Sequence, residues 1–396
     1  MDVLIQQKQK PTLAILTYAD KTRLFRGNQE NFADLVRTGE EHGVLVYVMT
    51  TSDFKLDGKL AIGYKYYPLT KTWKKELLPL PHVIYNRIPY RKFELLPEVQ
   101  QIIQTCMRHG QIQFFNPAFF NKWALFEWLN KSKDTQPFIP ATLQLTSERD
   151  LEKLLQSYPS LYLKPIRGKA GSGIMRVSRS TTEKAKSQLY ELSIQEKTKS
   201  HISRYPSLSQ LWTQVREQTT GKEYIIQQGI TLSSYKQRPF DLRVLVQKNG
   251  KGEWNVSGIG ARLAGKLSIT THVPRGGSID DPSKLLASSF GTQGSKRIIL
   301  RAKKAALLIA KQIESACENM LGEMSMDLGV DTEGSIWFFE ANSKPMKFDE
   351  PPIRKKSLES LIRYSIYLTK QSRNLLAKKS ADSPSEGTTL LKKKAR

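Results

Sequence analysis

Two carboxylates and an amide stand near the end of the chain: Asp327 in MSMDLGV, then Glu340 and Asn342 in WFFEAN. Such oxygen donors suit Mg²⁺, a hard ion that takes few protein ligands and completes its shell with water and phosphate oxygens. Upstream stand Lys122 and Lys164, the latter leading into Gly168-Lys169-Ala170-Gly171-Ser172-Gly173. Ammonium groups and the backbone N–H groups of a glycine-rich turn both meet phosphate. Each feature has a plainer reading: a solvated lysine, an ordinary turn, a polar surface hairpin. The glycine stretch joins two expected strands and lacks the GxxxxGK[ST] form, which argues against a P-loop and for a hairpin that closes over phosphates.

Rigid elements must bring these residues together. Ser325–Val330 and Ile336–Glu340 read as strands about the turn Asp331-Thr332-Glu333-Gly334. Strict alternation puts Phe338 and Glu340 on one face, continued by Asn342, with Asp327 opposite them across the hairpin. Leu161–Pro165 and Ile174–Val177 read as the strands flanking the glycines, and Tyr224–Gln227 as another. Leu242–Gln247 and Trp254–Ala261 flank Asn249-Gly250, a strong hairpin signal. The spacing predicts helices over Lys122–Lys131, Ser147–Gln156 with Ser147 as N-cap, Leu208–Glu217, Lys296–Leu321 and Leu358–Leu368. Residues 181–222 otherwise read as polar and irregular.

The first part of the chain has its own pattern. Thr12–Thr17, a helical repeat through Phe32, Leu35 and Val36 closed by Gly43, and Val44–Met49 form a strand–helix–strand unit, hence a parallel sheet. Strands at Ala61–Tyr66, His82–Asn86 and Gln113–Phe115 and a helix over Glu94–His109 extend it. No GxGxxG follows the first strand, which removes the dinucleotide fingerprint.

The 396 residues leave room for two or more domains, and their charge of +25 predicts anionic partners. Nucleic-acid binding has only that charge behind it, with no helix-turn-helix, zinc or RNP signature. Cys106 and Cys317 lack metal-ligand spacing and suit a reducing cytosol. No apolar run is long enough to span a bilayer and no secretory leader is legible at the start, so a soluble protein is expected. From about Ala377 the composition turns to Lys, Ser, Thr and Gly, which predicts a basic disordered tail over 378–396.

In order along the chain, Lys122, Lys164-Pro165 with its glycine loop, Gln227-Gln228-Gly229-Ile230 and Glu340-Ala341-Asn342 resemble the ATP-grasp superfamily. More closely, YNRIPYR (85–91), NPAFFNKW (116–123), YLKPIRGKAGSGI (162–174), YIIQQGI (224–230), PFDLRVLVQKNGKGEW (239–254), ARLAG (261–265) and HVPRGGS (272–278) resemble the YheC/YheD-type proteins described as endospore coat-associated. The resemblance runs from about residue 10 to 370. It implies an α/β fold: a Rossmann-like pre-ATP-grasp domain (1–116), then a two-lobed α+β ATP-grasp domain (117–377, lobes of about 117–230 and 231–377).

The roles the resemblance implies are specific. Lys122 and Lys164 hold phosphates, and Gly168, Lys169, Gly171, Ser172 and Gly173 close over them. Gln227, Gln228, Gly229 and Ile230 form the hinge that reads adenine. Asp327, Glu340 and Asn342 hold Mg²⁺, and Arg243 and Arg262 stabilise the transferred phosphoryl group and an acyl phosphate. Asp241, two residues before Arg243 on one strand face, has two readings, orienting a guanidinium or a structural part, of which the structural one is expected. His272 falls where a related branch carries Asn, and is expected to be a plain loop histidine. The implied activity is an ATP- and Mg²⁺-dependent ligase joining an unidentified carboxylate and amine, in the cytoplasm and associated with endospore-coat components. The alternative is a coat structural protein that keeps the fold and binds nucleotide without turnover. The same residues serve both readings.

Overall fold

The strand–helix–strand unit forms as its apolar pattern dictates. In the computed structural model, which describes residues 10–168, 171–181 and 188–381, fully buried β1 (Thr12–Thr17) pairs in parallel with β4 (Leu45–Thr50). Between them lie the small ribbon β2 (Ala19–Asp20) and β3 (Leu24–Phe25) and helix α1 (Gln29–Glu41). The side chain of Asn28 caps α1 by accepting from Asn31 N–H, as an orphan first-turn donor requires. Strands β5 (Leu60–Tyr67), β6 (Thr72–Pro79), β7 (Val83–Asn86) and β8 (Gln113–Phe115) complete the order β6-β5-β4-β1-β7-β8. The pairs from β4 through β8 are parallel and those of β5 and β6 antiparallel. Edge strand β6 was not legible, because it is lysine-rich and largely exposed. One helix over Glu94–His109 was expected, but Pro97 divides it into α2 (Arg91–Glu94) and α3 (Pro97–Arg108). Among the described residues this unit spans 10–115 with 250–252 and 362–381; a second spans 116–249 and 253–361.

The second unit holds two antiparallel sheets. The first has the order β13-β12-β11-β10-β14-β9, from β9 (Thr142–Gln144), β10 (Ser160–Pro165), β11 (Met175–Thr181), β12 (Gln188–Glu196), β13 (Lys199–Tyr205) and β14 (Tyr224–Gln228). Helices α5 (Glu148–Ser157) and α6 (Leu208–Thr219) supply Leu151, Leu154, Leu155, Leu211 and Val215 to its core. A capping box of Ser147 and Asp150 starts α5. The region expected to be irregular contains β12 and β13. Exposed β13 has no apolar alternation to betray it.

The other sheet has the order β18-β17-β16-β19-β20, from β16 (Arg238–Lys248), β17 (Trp254–Leu263), β18 (Ser278–Asp280), β19 (Glu323–Val330) and β20 (Ile336–Asn342), with β15 (Ser234–Tyr235) against β16. Helices α4 (Lys122–Asn130) and α7 (Pro282–Cys317) cover its apolar face. Helix α7 starts well before the expected Lys296, capped by Asp281, and is interrupted at Gly291, whose φ of 66° and ψ of 170° are not helical. Helix α8 (Pro351–Ala381) outruns the expected Leu358–Leu368 at both ends. Residues 378–381 are therefore helical, against the disorder expected of them, because lysine and alanine sustain a helix. Residues 382–396 lie outside the described residues.

Candidate active site

Four strands of the last sheet bring charge onto one face. Across β16, β19 and β20, Arg243 pairs in register with Asp327, and Asp327 with Glu340; across β16 and β17, Asp241 pairs with Arg262. The alternation expected of β20 fails at one point. The register slips between Asp327 and Leu328, so that Leu328 pairs with Phe338 and Phe339 is the bulged residue. Phe338 consequently enters the core, fully buried, while Glu340 faces the site. They do not share a face.

Asp327 is buried. Its Oδ2 accepts from Arg262 Nη2 at 2.7 Å, whereas its Oδ1 is buried with no hydrogen-bond partner. Burial pushes this carboxyl up, but Arg262, Arg243 and His272 outweigh it and hold the pKa below the usual value. Arg262 is buried too and donates through Nε and Nη2 to Asp241 at 3.0 and 2.8 Å. Burial opposes its charge, yet Asp241 and Asp327 keep its pKa above the ordinary one. Asp241 thus orients a guanidinium, contrary to the purely structural part expected of it. It also accepts from Thr271 Oγ1 at 2.5 Å. Arg243 lies with its guanidinium 5.4 Å from the Phe348 ring and lines a cavity of about 410 Å³ with Asn342, Arg262, His272, Asp327 and Glu340.

Lysines approach from other elements. The side chain of Asn121 accepts from Trp123 and Ala124 N–H and starts α4, and Lys122 at its first position reaches Glu340 Oε1 at 2.5 Å. Lys164, near the end of β10, is half-buried; its Nζ donates to Gln227 Oε1 at 2.5 Å and stands 5.2 Å from the Phe339 ring. Burial first, then the Lys122 charge, pushes its pKa down to about 8. Gln227 is buried and holds Lys164 while donating to Thr142 Oγ1.

Lys122, Lys164, Gly168, Gly171, Ser172, Gln227, Gln228, Ile230, Arg262, Asp327 and Glu340 all line one cavity. Gly173 lies beside Tyr224, whose hydroxyl donates to its carbonyl at 3.2 Å. Lys169 lies outside the described residues. At the hinge, the amides of Gln228 and Gly229 donate to Ala141 O and Ser160 O, both at 2.8 Å. A β-carbon at Gly229 would stand 2.7 Å from the Ser160 carbonyl oxygen. Gly229→Ala is therefore expected to cost about 1–3 kcal/mol by overpacking, measured by urea unfolding; an unchanged midpoint would show that β10 yields freely.

Sequence reasoning missed three members. Phe339 enters the cavity because of the bulge, and Thr271 anchors its loop to Asp241. His272 corrects its expected role as a plain loop residue: a ring nitrogen and carboxylate oxygens of Asp327 and Glu340 all lie within 4.8 Å of one another. Burial, then Arg262, holds its pKa below the ordinary histidine value. The only sequence signal was its place before Val273-Pro274-Arg275-Gly276-Gly277.

The donor set fits a divalent cation, because a buried carboxylate oxygen without a partner is a costly group that an ion would satisfy. Among the described residues no helix is long and apolar enough to cross a membrane.

Comparison with known proteins agrees with this architecture. The chain is 29% identical over 360 residues to endospore coat-associated protein YheD of Bacillus subtilis (strain 168), covering 88% of this chain and 76% of that protein. It is 22% identical over 316 residues to YheC of the same organism, covering 79% and 84%. Among solved structures it is similar in fold to D-alanyl-alanine synthetase A from Vibrio cholerae, with a TM-score of 0.51 at 13% identity, over 93% of this chain and 99% of that one. Residues 111–368, which carry the whole charged cluster and both sheets around it, match the YheC/D-like ATP-grasp family model, and the chain belongs to that family.

Proposed function

We propose that the second unit binds Mg·ATP and uses it to join a carboxylate to an amine through an acyl phosphate. The observation that supports this most is the convergence, from different elements, of two lysines and three carboxylates (Asp241, Asp327 and Glu340) in one cavity, with an oxygen of Asp327 left over. Bound Mg·ATP supplies the phosphoryl group and the charge neutralisation its transfer needs. Lys164 and Lys122 would meet phosphate oxygens, and Asp327, Glu340 and Asn342 would hold the metal, the Lys122–Glu340 ion pair giving way to both contacts. Ile230, whose neighbours Gln228 and Gly229 have committed their amides, carries the hinge contact to adenine. Arg243 reaches the reacting phosphoryl group from the adjoining 410 Å³ cavity, where the carboxylate and amine are received. The cavity holding the lysines is about 100 Å³, less than a nucleotide fills, so its walls must move apart on entry. From the two similar coat-associated proteins we infer that the activity serves the endospore coat.

Thermal shift tests the binding step. Nucleotide at a hundred times its Kd should stabilise the fold by about 2.7 kcal/mol, and Lys164→Ala should abolish most of that gain. The pH dependence follows from the lowered pKa of Lys164. In the free protein the cost of burying its charge is present in full below about pH 8 and is relieved as pH rises toward the ordinary lysine value. Phosphate favours the charged form, so the nucleotide shift should shrink between about pH 7 and pH 9. A shift insensitive to both Lys164→Ala and pH would refute the phosphate role. Nucleotide binding that no carboxylate–amine pair ever converts to hydrolysis would favour a coat protein that holds ATP without turnover.

A further inference from the structure

An imidazole beside two carboxylates is an unusual neighbour for Mg²⁺. His272 caps the short 3₁₀ turn Val273–Arg275, and its loop is fixed by the Thr271–Asp241 hydrogen bond. Its ring is confined on one side by Gly171, where a β-carbon would stand 3.1 Å from Nδ1; the glycine leaves room that a side chain would take. Nδ1 is buried with no hydrogen-bond partner, as is Oδ1 of Asp327. Each of these residues thus has a buried polar atom without a hydrogen-bond partner, and one of the two ring nitrogens lies within 4.8 Å of a carboxylate oxygen of Asp327 and of Glu340.

A first-row divalent ion sits about 2.0–2.2 Å from nitrogen and oxygen ligands, so its ligand atoms are at most about 4 Å apart. Side-chain adjustment of less than an ångström closes the observed cluster to that size. We infer that His272 is a third protein ligand and makes this a nitrogen–oxygen site that selects a first-row transition ion such as Mn²⁺ over Mg²⁺. Mg²⁺ prefers oxygen and gives up water reluctantly, whereas imidazole nitrogen gains affinity along the series from Mn²⁺ to Zn²⁺. This rests on the metal reading proposed above and adds the donor and the ion it favours.

The test uses the full chain with Mn²⁺ and inorganic tripolyphosphate, which supplies phosphate oxygens and no nitrogen. Electron spin echo modulation of bound Mn²⁺ should show coupling to ¹⁴N, and His272→Ala should remove it while the variant melts as wild type does. Free Mn²⁺ counted by its solution resonance, with Mg²⁺ as competitor, should show the Mn²⁺ preference fall at least about tenfold in His272→Ala. His272→Asn, which restores an oxygen donor, should recover Mg²⁺ binding without the ¹⁴N signal. Bound Mn²⁺ lacking ¹⁴N coupling, or a preference unchanged by His272→Ala, overturns the inference and leaves the metal reading intact. No Mn²⁺ binding at all, with or without tripolyphosphate, overturns both.

Discussion

Asp241→Asn is expected to lower stability by about 3 kcal/mol, because it strips one of two carboxylates from a guanidinium that has no route to water. Arg262 is 5% exposed and Asp241 4% exposed, so solvent cannot replace the lost charge. The cost stays near the lower end of the range for a broken buried pair, since Asp327 still holds Nη2. Thr271 also loses its charged acceptor, which loosens the loop that carries His272. For a unit of this size the change corresponds to roughly 6–12 °C in Tm. Urea unfolding of the wild type and variant gives the answer, and a loss below about 1 kcal/mol would show that the Arg262 charge is solvated after all.

Arg243→Lys is expected to leave nucleotide binding and Tm in place but to cut substrate-stimulated ATP turnover about a hundredfold or more. Its guanidinium contacts the face of Phe348 and lines the second cavity, whereas that of Arg262 is committed to two carboxylates. A lysine keeps the charge but not the planar fork that grips a phosphoryl or acyl-phosphate oxygen pair. Arg262→Lys is no substitute as a probe, since it breaks the bidentate pair with Asp241 and alters the fold along with the rate. Wild-type turnover in Arg243→Lys would move the transition-state role elsewhere.

How much was legible in the sequence depended on which force set each element. Apolar runs such as Leu13–Leu16 and Val46–Met49 report burial directly, and the α/β first unit was readable from them. One cap announced a helix start, Ser147 ahead of α5, whereas Asn28, which caps α1, was not singled out. Strands β6 and β13 escaped because edge strands are held by backbone hydrogen bonds that carry no side-chain signature. In the candidate site, Asp327 and Glu340 were placed opposite each other correctly, since a tight turn fixes the register of a hairpin. The partnership of Asp241 with Arg262 was not legible. It depends on which strands neighbour one another in the sheet, and 21 residues of sequence separate the two. His272 was missed for a similar reason, as its neighbours come from β19, β20 and the glycine loop.

The extra residue in β20 also separates two kinds of selection on one strand. Ahead of it, Ile336 and Phe338 answer to the packing of α4 and α7; beyond it, Glu340 and Asn342 answer to whatever enters the cavities. Because Phe339 absorbs the offset, core volume can drift in the first half without rotating the charged half. Holding Phe339 in a regular pleat would turn Glu340 inward against Phe126 and its neighbours, whereas deleting it would leave Glu340 facing the cavities and remove the ring that stands beside Lys164. The bulge thus lets the strand carry one residue more than alternation needs, and that residue is the one that lends an aromatic wall to Lys164.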